Sequence, residues 1–371
     1  MNLKLKDLFY EFRNPDTIKA LSAAIADEAE RLNESLYIME VCGGHTHVIM
    51  KYGLPKLLPN NIRFVHGPGC PVCIMHKERI DQAIALAKMD NTILLTLGDM
   101  IRVPGSKSSL ANERANGCDI RALYSPLDAI KIAEENPDKR VIFFAIGFET
   151  TTPMTSVVIE QTIKQNVRNL YFHINHVIVA PPMRAVMDGK SKVNAFVAPG
   201  HVSIITGSKI FIPLAQKYKT PIVISGFEPI DIMQSVLMII RQKNRKQSDV
   251  EIQYSRAVTA EGNRKAQELI NRYMQLRENF RWRGIGNIPG SALQLRDKYS
   301  YLDAEKLFAD ILPNKPAEDD KRCICGEILR GIKEPTDCRA FGNACAPNTP
   351  MGSCMVSSEV ACNAYYRYRG V

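Results

Sequence analysis

The chain has no apolar run long enough to cross a bilayer: VIFFAIG (141–147) and VLMII (236–240) fall far short of the roughly 20 residues a spanning helix needs. Its opening stretch, MNLKLKDLFYEFRNPD, carries acidic residues and neither an apolar h-region nor a small-residue cleavage site, so no export signal is expected. No nucleic-acid module is recognisable. The formal charge of +9 is spread along the chain, with local basic stretches at RQKNRKQ (241–247) and YYRYRG (365–370). These read as solvated surface, or as a face for an acidic protein or anionic ligand; neither membrane nor nucleic acid is expected as a partner. Also missing is a second Cys pair at zinc-finger distance from Cys70-x-x-Cys73, since the next cysteine is Cys118. Together these absences leave an expectation of a soluble cytoplasmic protein. In a reducing compartment its ten cysteines point to metal or redox chemistry rather than to structural disulfides.

A length of 371 residues predicts two or three domains. Residues 16–32 place Ile18, Leu21, Ala24, Ile25 and Leu32 at helical spacing, with Asp16 as the cap. Seven short apolar runs follow, each ending in a glycine-rich or polar turn: LYIMEVCGG, IRFVHGPG, NTILLTLGD, KRVIFFAIGFE, NLYFHINH, NAFVAPGH and TPIVISGFE. They read as buried strands. Helical patterns lie between several of them, notably MHKERIDQAIALAK, SPLDAIKIAEEN, MTSVVIEQTIKQ and PIDIMQSVLMIIRQ. This alternation predicts an α/β fold: two Rossmann-like parallel-sheet domains over 33–122 and 123–244, plus a helical, loop-rich iron–sulfur domain from 1–32 and 245–371. An echo between VIFFAIGFETTTP and PIVISGFEPID suggests two related halves.

Ligands collect at the carboxyl ends of parallel strands. Cys42, His45 and His47 follow one predicted strand, Cys70 and Cys73 a second, and Asp99 a third, so one crevice is expected to gather them. A soft thiolate with imidazoles, as in CGGHTH, suits iron. Cys70-x-x-Cys73 sits where a helix begins, and its positive end would lower a thiol pKa, favouring a redox dithiol. The tail from 323 holds cysteines at 323, 325, 338, 345, 354 and 362, in a loop-rich stretch with too little apolar content for its own core. Long spacings suit a [4Fe-4S] cluster better than zinc, but six thiols for four corners leave two over, and spacing does not choose. In GFETTTP, Glu149 is a candidate general base or hydrogen-bond acceptor, against the plainer reading of a helix start with its Thr and Pro. Asp99 and Arg102 form a loop suited to an anion; Cys118 stands alone and reads as structural. His66, His76, His173, His176 and His201 read individually as ordinary histidines.

Taken in order over nearly the full length, MEVCGGHTH, GPGCPVC, GDMIRVPGS, GFETTTP, PGHVS (199–203), GFEPID and the tail ending MVSSEVACNAYY resemble the HypD family of hydrogenase maturation factors. The resemblance implies an assembly scaffold with redox activity more than a conventional enzyme. On it the iron of nickel–iron hydrogenase, carrying two cyanides and one carbon monoxide, would be built. The implied partners are a HypC-type chaperone that shares the iron, HypE that delivers cyanide made with HypF, and, indirectly, the hydrogenase large subunit. The family's Cys-x14-Cys-x6-Cys-x16-Cys pattern falls on Cys323, Cys338, Cys345 and Cys362 as [4Fe-4S] ligands, with Cys325 and Cys354 as alternates. Cys42 matches the cysteine of the assembling iron, with His45 beside it, and Cys70 and Cys73 match the redox pair. Cyanide transfer from a thiocyanate needs two electrons, which a dithiol stores and a cluster passes singly. One departure is Val360, where the family pattern has Gly. Two readings from other classes stand beside this one: an iron–sulfur-dependent thiol–disulfide oxidoreductase, and a zinc-stabilised binding protein.

Overall fold

The side chain of Asn14 accepts the N–H groups of Asp16 and Thr17 and opens the helix Pro15–Ala29, with proline in its first turn. The cap is thus Asn14 and not the expected Asp16, because proline at the first helical position needs no N–H partner. This computed structural model describes residues 10–313, 317 and 320–368; Arg369 and Gly370 of the basic terminal stretch and residues 1–9 of the expected third domain lie outside them.

Nine parallel strands follow: β1 (Leu36–Glu40), β2 (Ile62–His66), β3 (Thr92–Leu97), β4 (Asp119–Leu123), β5 (Arg140–Gly147), β6 (Leu170–His176), β7 (Ala195–Pro199), β8 (Ile222–Ser225) and β9 (Val250–Ile252). All seven predicted strands are present. The two that apolar pattern missed, β4 and β9, are sheet edges, which are half solvated and need no continuous apolar run. The strands form two sheets, ordered β2-β1-β7-β8-β9 and β4-β3-β5-β6. The fold is α/β with parallel, Rossmann-like sheets, as expected.

The sheets do not follow the boundary expected at 122/123. β3 and β4 lie before it and share a sheet with β5 and β6 beyond it, while β7 to β9 return to β1 and β2. The second sheet is therefore inserted whole into the first. The helix of residues 15–29 packs on the first sheet: Ile25 and Ala29 share a core with Ile38, Val223 and Val236, a core that Ala364 of the tail also enters. Renumbered within each sheet, both orders begin 2-1-3-4, so the repeat is topological. The Gly-Phe-Glu echo is not equivalent in position, since it follows the third strand of one sheet (β5) and the fourth of the other (β8).

After β9 the helix Arg264–Tyr273 packs on the helix Thr152–Lys164, and β10 (Met274–Leu276), β11 (Asn279–Trp282), β12 (Gly286–Pro289) and β13 (Leu293–Leu295) form two small antiparallel pairs. Trp282 is fully buried and bridges to Met75, just past the CPVC segment. The tail contributes the short helix Cys325–Leu329 and the helix Ala361–Tyr368, which lies against the helix Gly43–Lys51. Among the described residues no helix is long and apolar enough to cross a membrane.

Candidate functional site

In the first sheet strand order reverses between β1 and β7, and the carboxyl ends of neighbouring strands that diverge in this way leave a crevice. Cys42 follows β1 in extended conformation and starts the helix Gly43–Lys51; His201 follows β7 in the helix Gly200–Thr206. Their side chains meet across the reversal, with Cys42 Sγ 3.7 Å from His201 Nδ1. A cleft of about 560 Å³ opens here, and Cys42, His47, Cys70, His201, Phe227 and Glu359 are among its lining residues. Two glycines allow the approach. A Cβ on Gly69 would stand 2.1 Å from Cys42 N, and one on Gly43 would stand 2.5 Å from Glu359 O. The GPGC loop and the tail can therefore lie directly on the backbone around Cys42.

Glu40 sets the backbone there. Its carboxylate is fully buried, accepts the Cys42 N–H at 3.0 Å and the Thr46 hydroxyl, and faces His66 Nδ1 at 2.6 Å. Burial raises its pKa, against the bonds from His66, Thr46 and Cys42. Burial also pushes the Cys42 thiol up, the N–H groups of His45 and Gly44 pull it down, and the Glu40 charge adds to the rise. His201 is lowered to about 4 by burial, so at neutral pH it is uncharged and offers a lone pair. A neutral thiol and a neutral imidazole in contact suit a cation that displaces the thiol proton.

The expected neighbour, His45, is turned away. Its Nε2 donates to the carbonyls of Ser225 and Gly226 at 3.3 and 2.9 Å, its ring stacks on Phe227, and it is fully buried. The reason is helical phase: three residues past Cys42, His45 lies on the face of the helix Gly43–Lys51 packed against the β8 turn. His47 does reach the cleft, where its Nδ1 lies 3.4 Å from Ser358 O.

Cys70 caps the single-turn helix Pro71–Ile74 and lines the same cleft. Cys73 is buried, with the Cys70 and Cys354 thiols as its neighbours in one core. The lowering of a thiol pKa expected from a helix start does not occur at Cys73. Desolvation pushes it well up, and its thiol neighbours add to the rise. One helical turn carries too small a dipole to oppose complete burial.

Thiol contacts continue into the tail. Cys354 neighbours Cys73, Cys325 and Cys362, and Cys325 neighbours Cys323, within one core. Ser353 Oγ donates to Cys73 O at 2.5 Å, fixing the tail to the CPVC turn. Nearby, the Cys338 thiol lies 3.6 Å from Arg322 O, Cys345 Sγ accepts the Met351 N–H at 3.4 Å, and Gly352 leaves room beside Cys323 Sγ, which a Cβ would approach to 2.8 Å. All ten cysteines are free thiols. The soft donors and the N–H directed at sulfur fit an iron–sulfur cluster in chemistry. Among the described residues no three His, Cys, Asp or Glu side chains are arranged around one ion position.

The remaining candidates fall elsewhere. Glu149 does not line the cleft, although Phe148, Thr150 and Thr151 do. It is buried, one oxygen accepts the Val179 N–H at 2.9 Å, the other has no partner, and burial raises its pKa to about 7. Thr151 begins the helix Thr152–Lys164 without a side-chain cap bond. Asp99 pairs with Arg102, which also donates to Val356 O, so this loop holds the tail and does not face Cys42. His66, His173 and His176 are buried against Glu40, Asn175 and Thr155. Sequence reasoning passed over Glu40, Phe227 and His201. The signal for His201 was its place directly after a predicted strand, in PGHVS.

The family model described as "HypD: Hydrogenase formation hypA family" matches residues 16–369. The chain is 49% identical over 365 residues to hydrogenase maturation factor HypD of Azotobacter vinelandii, covering 96% of each chain. It is 47% identical over 369 residues to HypD of Rhizobium leguminosarum bv. viciae, covering 96% of this chain and 94% of that one. To HypD of Escherichia coli strain K12 it is 42% identical over 368 residues, covering 97% of each. A near-full-length match of this kind means that the chain belongs to the HypD family of hydrogenase maturation factors.

Proposed function

We propose that the chain is the cytoplasmic scaffold on which the Fe(CN)2CO centre of nickel–iron hydrogenase is assembled, with Cys42 and His201 binding the iron as cargo. The observation that carries this is the Cys42–His201 contact at a strand-order reversal, in the cleft that also holds Cys70. Thiolate and neutral imidazole are a soft and a borderline donor, suited to low-spin iron(II), and thiolate electron density supports back-donation to cyanide and carbon monoxide. His201 takes the place proposed from sequence for His45. A HypC-type chaperone sharing the iron, HypE as cyanide donor with HypF behind it, and the hydrogenase large subunit as recipient are the partners this reading requires.

Cys70 and Cys73 serve as the dithiol. Closing them to a disulfide releases two electrons and two protons, the number needed when cyanide leaves a thiocyanate sulfur. Cys354, packed in one core with Cys73 and Cys325, gives exchange a path from the buried end of this pair into the tail. Cys323, Cys338, Cys345 and Cys362 are the residues that would hold a [4Fe-4S] cluster, which when bound supplies single electrons.

The test is anaerobic co-purification with the HypC-type partner, followed by iron analysis and infrared spectroscopy. Iron with cyanide and carbonyl bands is expected from the natural chain, and neither iron nor bands from Cys42→Ser. Full bands in Cys42→Ser overturn the scaffold reading. A natural chain that reduces outside disulfides and never shows the bands is instead an iron–sulfur-dependent thiol–disulfide oxidoreductase.

A further inference from the structure

Strand β2 is an edge of the first sheet, paired with β1 on one side only. Two bonds set its phase: Leu36 N–H donates to Asn61 O, and Gly67 N–H donates to Glu40 O. In a parallel ladder the N–H and C=O of one residue turn to the same neighbour, and successive residues alternate. Arg63 and Val65 therefore bond to β1, while Phe64 and His66 turn their backbone groups outward. Those outward groups have no hydrogen-bond partner among the described residues.

Native proteins usually cover such an edge or shorten it. Here cavities of about 360 and 280 Å³ flank it and share Arg63, Phe64, His66, Glu334 and Tyr365, forming one groove along the strand. Arg63, Lys190, Lys192 and Lys333 line the larger cavity, all exposed and none in an ion pair among the described residues. The carboxylates present, Glu334 and Asp337, cap each other's backbone in the turn Pro335–Asp337. The groove thus offers unpaired backbone donors and acceptors beside a net positive charge, four cations against two carboxylates that are tied to their own turn.

We propose that the β2 edge is a docking site for an extended, acidic segment of a partner protein, which adds to the first sheet as a sixth strand. A small free anion would meet the lysines yet leave the backbone of Phe64 and His66 unpaired; an added strand meets both. The position also matters to the iron site. His66 holds the Glu40 carboxylate that holds the Cys42 amide, so a strand docked on β2 lies one buried pair from Cys42.

The test uses the full chain and a fluorescein-labelled alternating Glu-Val nonapeptide, the same peptide N-methylated at alternate residues, and a Lys-Val counterpart. Fluorescence anisotropy should show binding of the acidic peptide alone, weakened about tenfold by N-methylation through loss of backbone hydrogen bonds. The surface pair Arg63→Glu with Lys333→Glu should weaken it by a similar factor, and bound peptide should slow amide exchange at Phe64 and His66. No binding overturns the proposal, and the cations then only guard the edge. Equal binding after N-methylation, with exchange at Phe64 and His66 unchanged, overturns it as well, leaving attraction by net charge.

Discussion

The two sheets share a strand order and reverse it at equivalent places, yet only one reversal carries a site. Between β1 and β7 the chain leaves Cys42 and His201 facing each other in an open cleft. Between β3 and β5 the corresponding ends carry an Asp99–Arg102 ion pair and the buried Phe148 and Glu149. The same Nη2 of Arg102 that pairs with Asp99 also donates to Val356 O in the tail. Topology supplies a crevice twice, but a thiol and an imidazole meet only where Cys42 and His201 end the two strands and glycine lets neighbouring loops close on them. The second reversal is instead used to hold the tail that brings Cys354 to Cys73.

The largest expected difference between the two is in iron retention. His201→Ala should lower iron in the anaerobically purified complex with the HypC-type partner by about tenfold or more, since even residues that only support ligands carry about 10–100-fold of metal affinity. Asp99→Ala, measured the same way, should leave iron within about twofold, as expected for an exposed ion pair. Equal losses would erase the distinction drawn here.

Next in size is the buried pair beneath Cys42. Glu40→Ala leaves His66 and the Cys42 amide without their acceptor and should cost about 3–5 kcal/mol in denaturant unfolding. Glu40→Gln keeps an acceptor for the amide and should recover part of that loss. The buried carboxyl at the other reversal is Glu149, where the effect is read through pH. Glu149 has a folded-state pKa raised to about 7, so the folded state holds its proton longer than the unfolded chain does. Its contribution to stability is greatest below the unfolded carboxyl pKa and is lost as pH rises through about 7, by about 3 kcal/mol in total. Glu149→Gln should remove this decline, so the mutant-minus-natural stability difference should rise between pH 5 and 8. A flat difference would show that Glu149 is not held neutral.

The smallest contrast compares two glycines. Gly69→Ala drives a methyl group into the Cys42 backbone and should destabilise by about 1–3 kcal/mol. Gly98→Ala meets nothing within 4 Å and should change stability by less than about 0.5 kcal/mol. Thermal or denaturant unfolding of the two variants checks this directly.

Much of the fold could be read from the sequence. Strands buried on both faces read as continuous apolar runs, and all seven predicted runs form strands. The strands β4 and β9 were missed because their stretches, DIRAL (119–123) and VEI (250–252), are short and broken by charged residues, whereas the edge strand β2 keeps a readable apolar pair in IRFVH. His45 was chosen over His201 because it is three residues from Cys42, whereas His201 is 159 residues away and reaches it only through the β1–β7 pairing. Glu40 was passed over because an acidic residue at the end of a strand has no pattern that marks it as buried.

By itself the sequence determined which residues are chemically able to act and that they stand at strand ends: Cys42 after β1, Cys70 and Cys73 after β2, six thiols in a tail too polar to pack alone. These are local facts, set by apolar periodicity and turn residues within a few positions of each motif. Only the tertiary structure decided that His201 and not His45 meets Cys42, that the second sheet is inserted into the first, and that Cys354 of the tail lies beside Cys73. Those outcomes depend on strand pairing and close backbone approach between segments far apart in the chain, and no local pattern encodes which distant partner will be met.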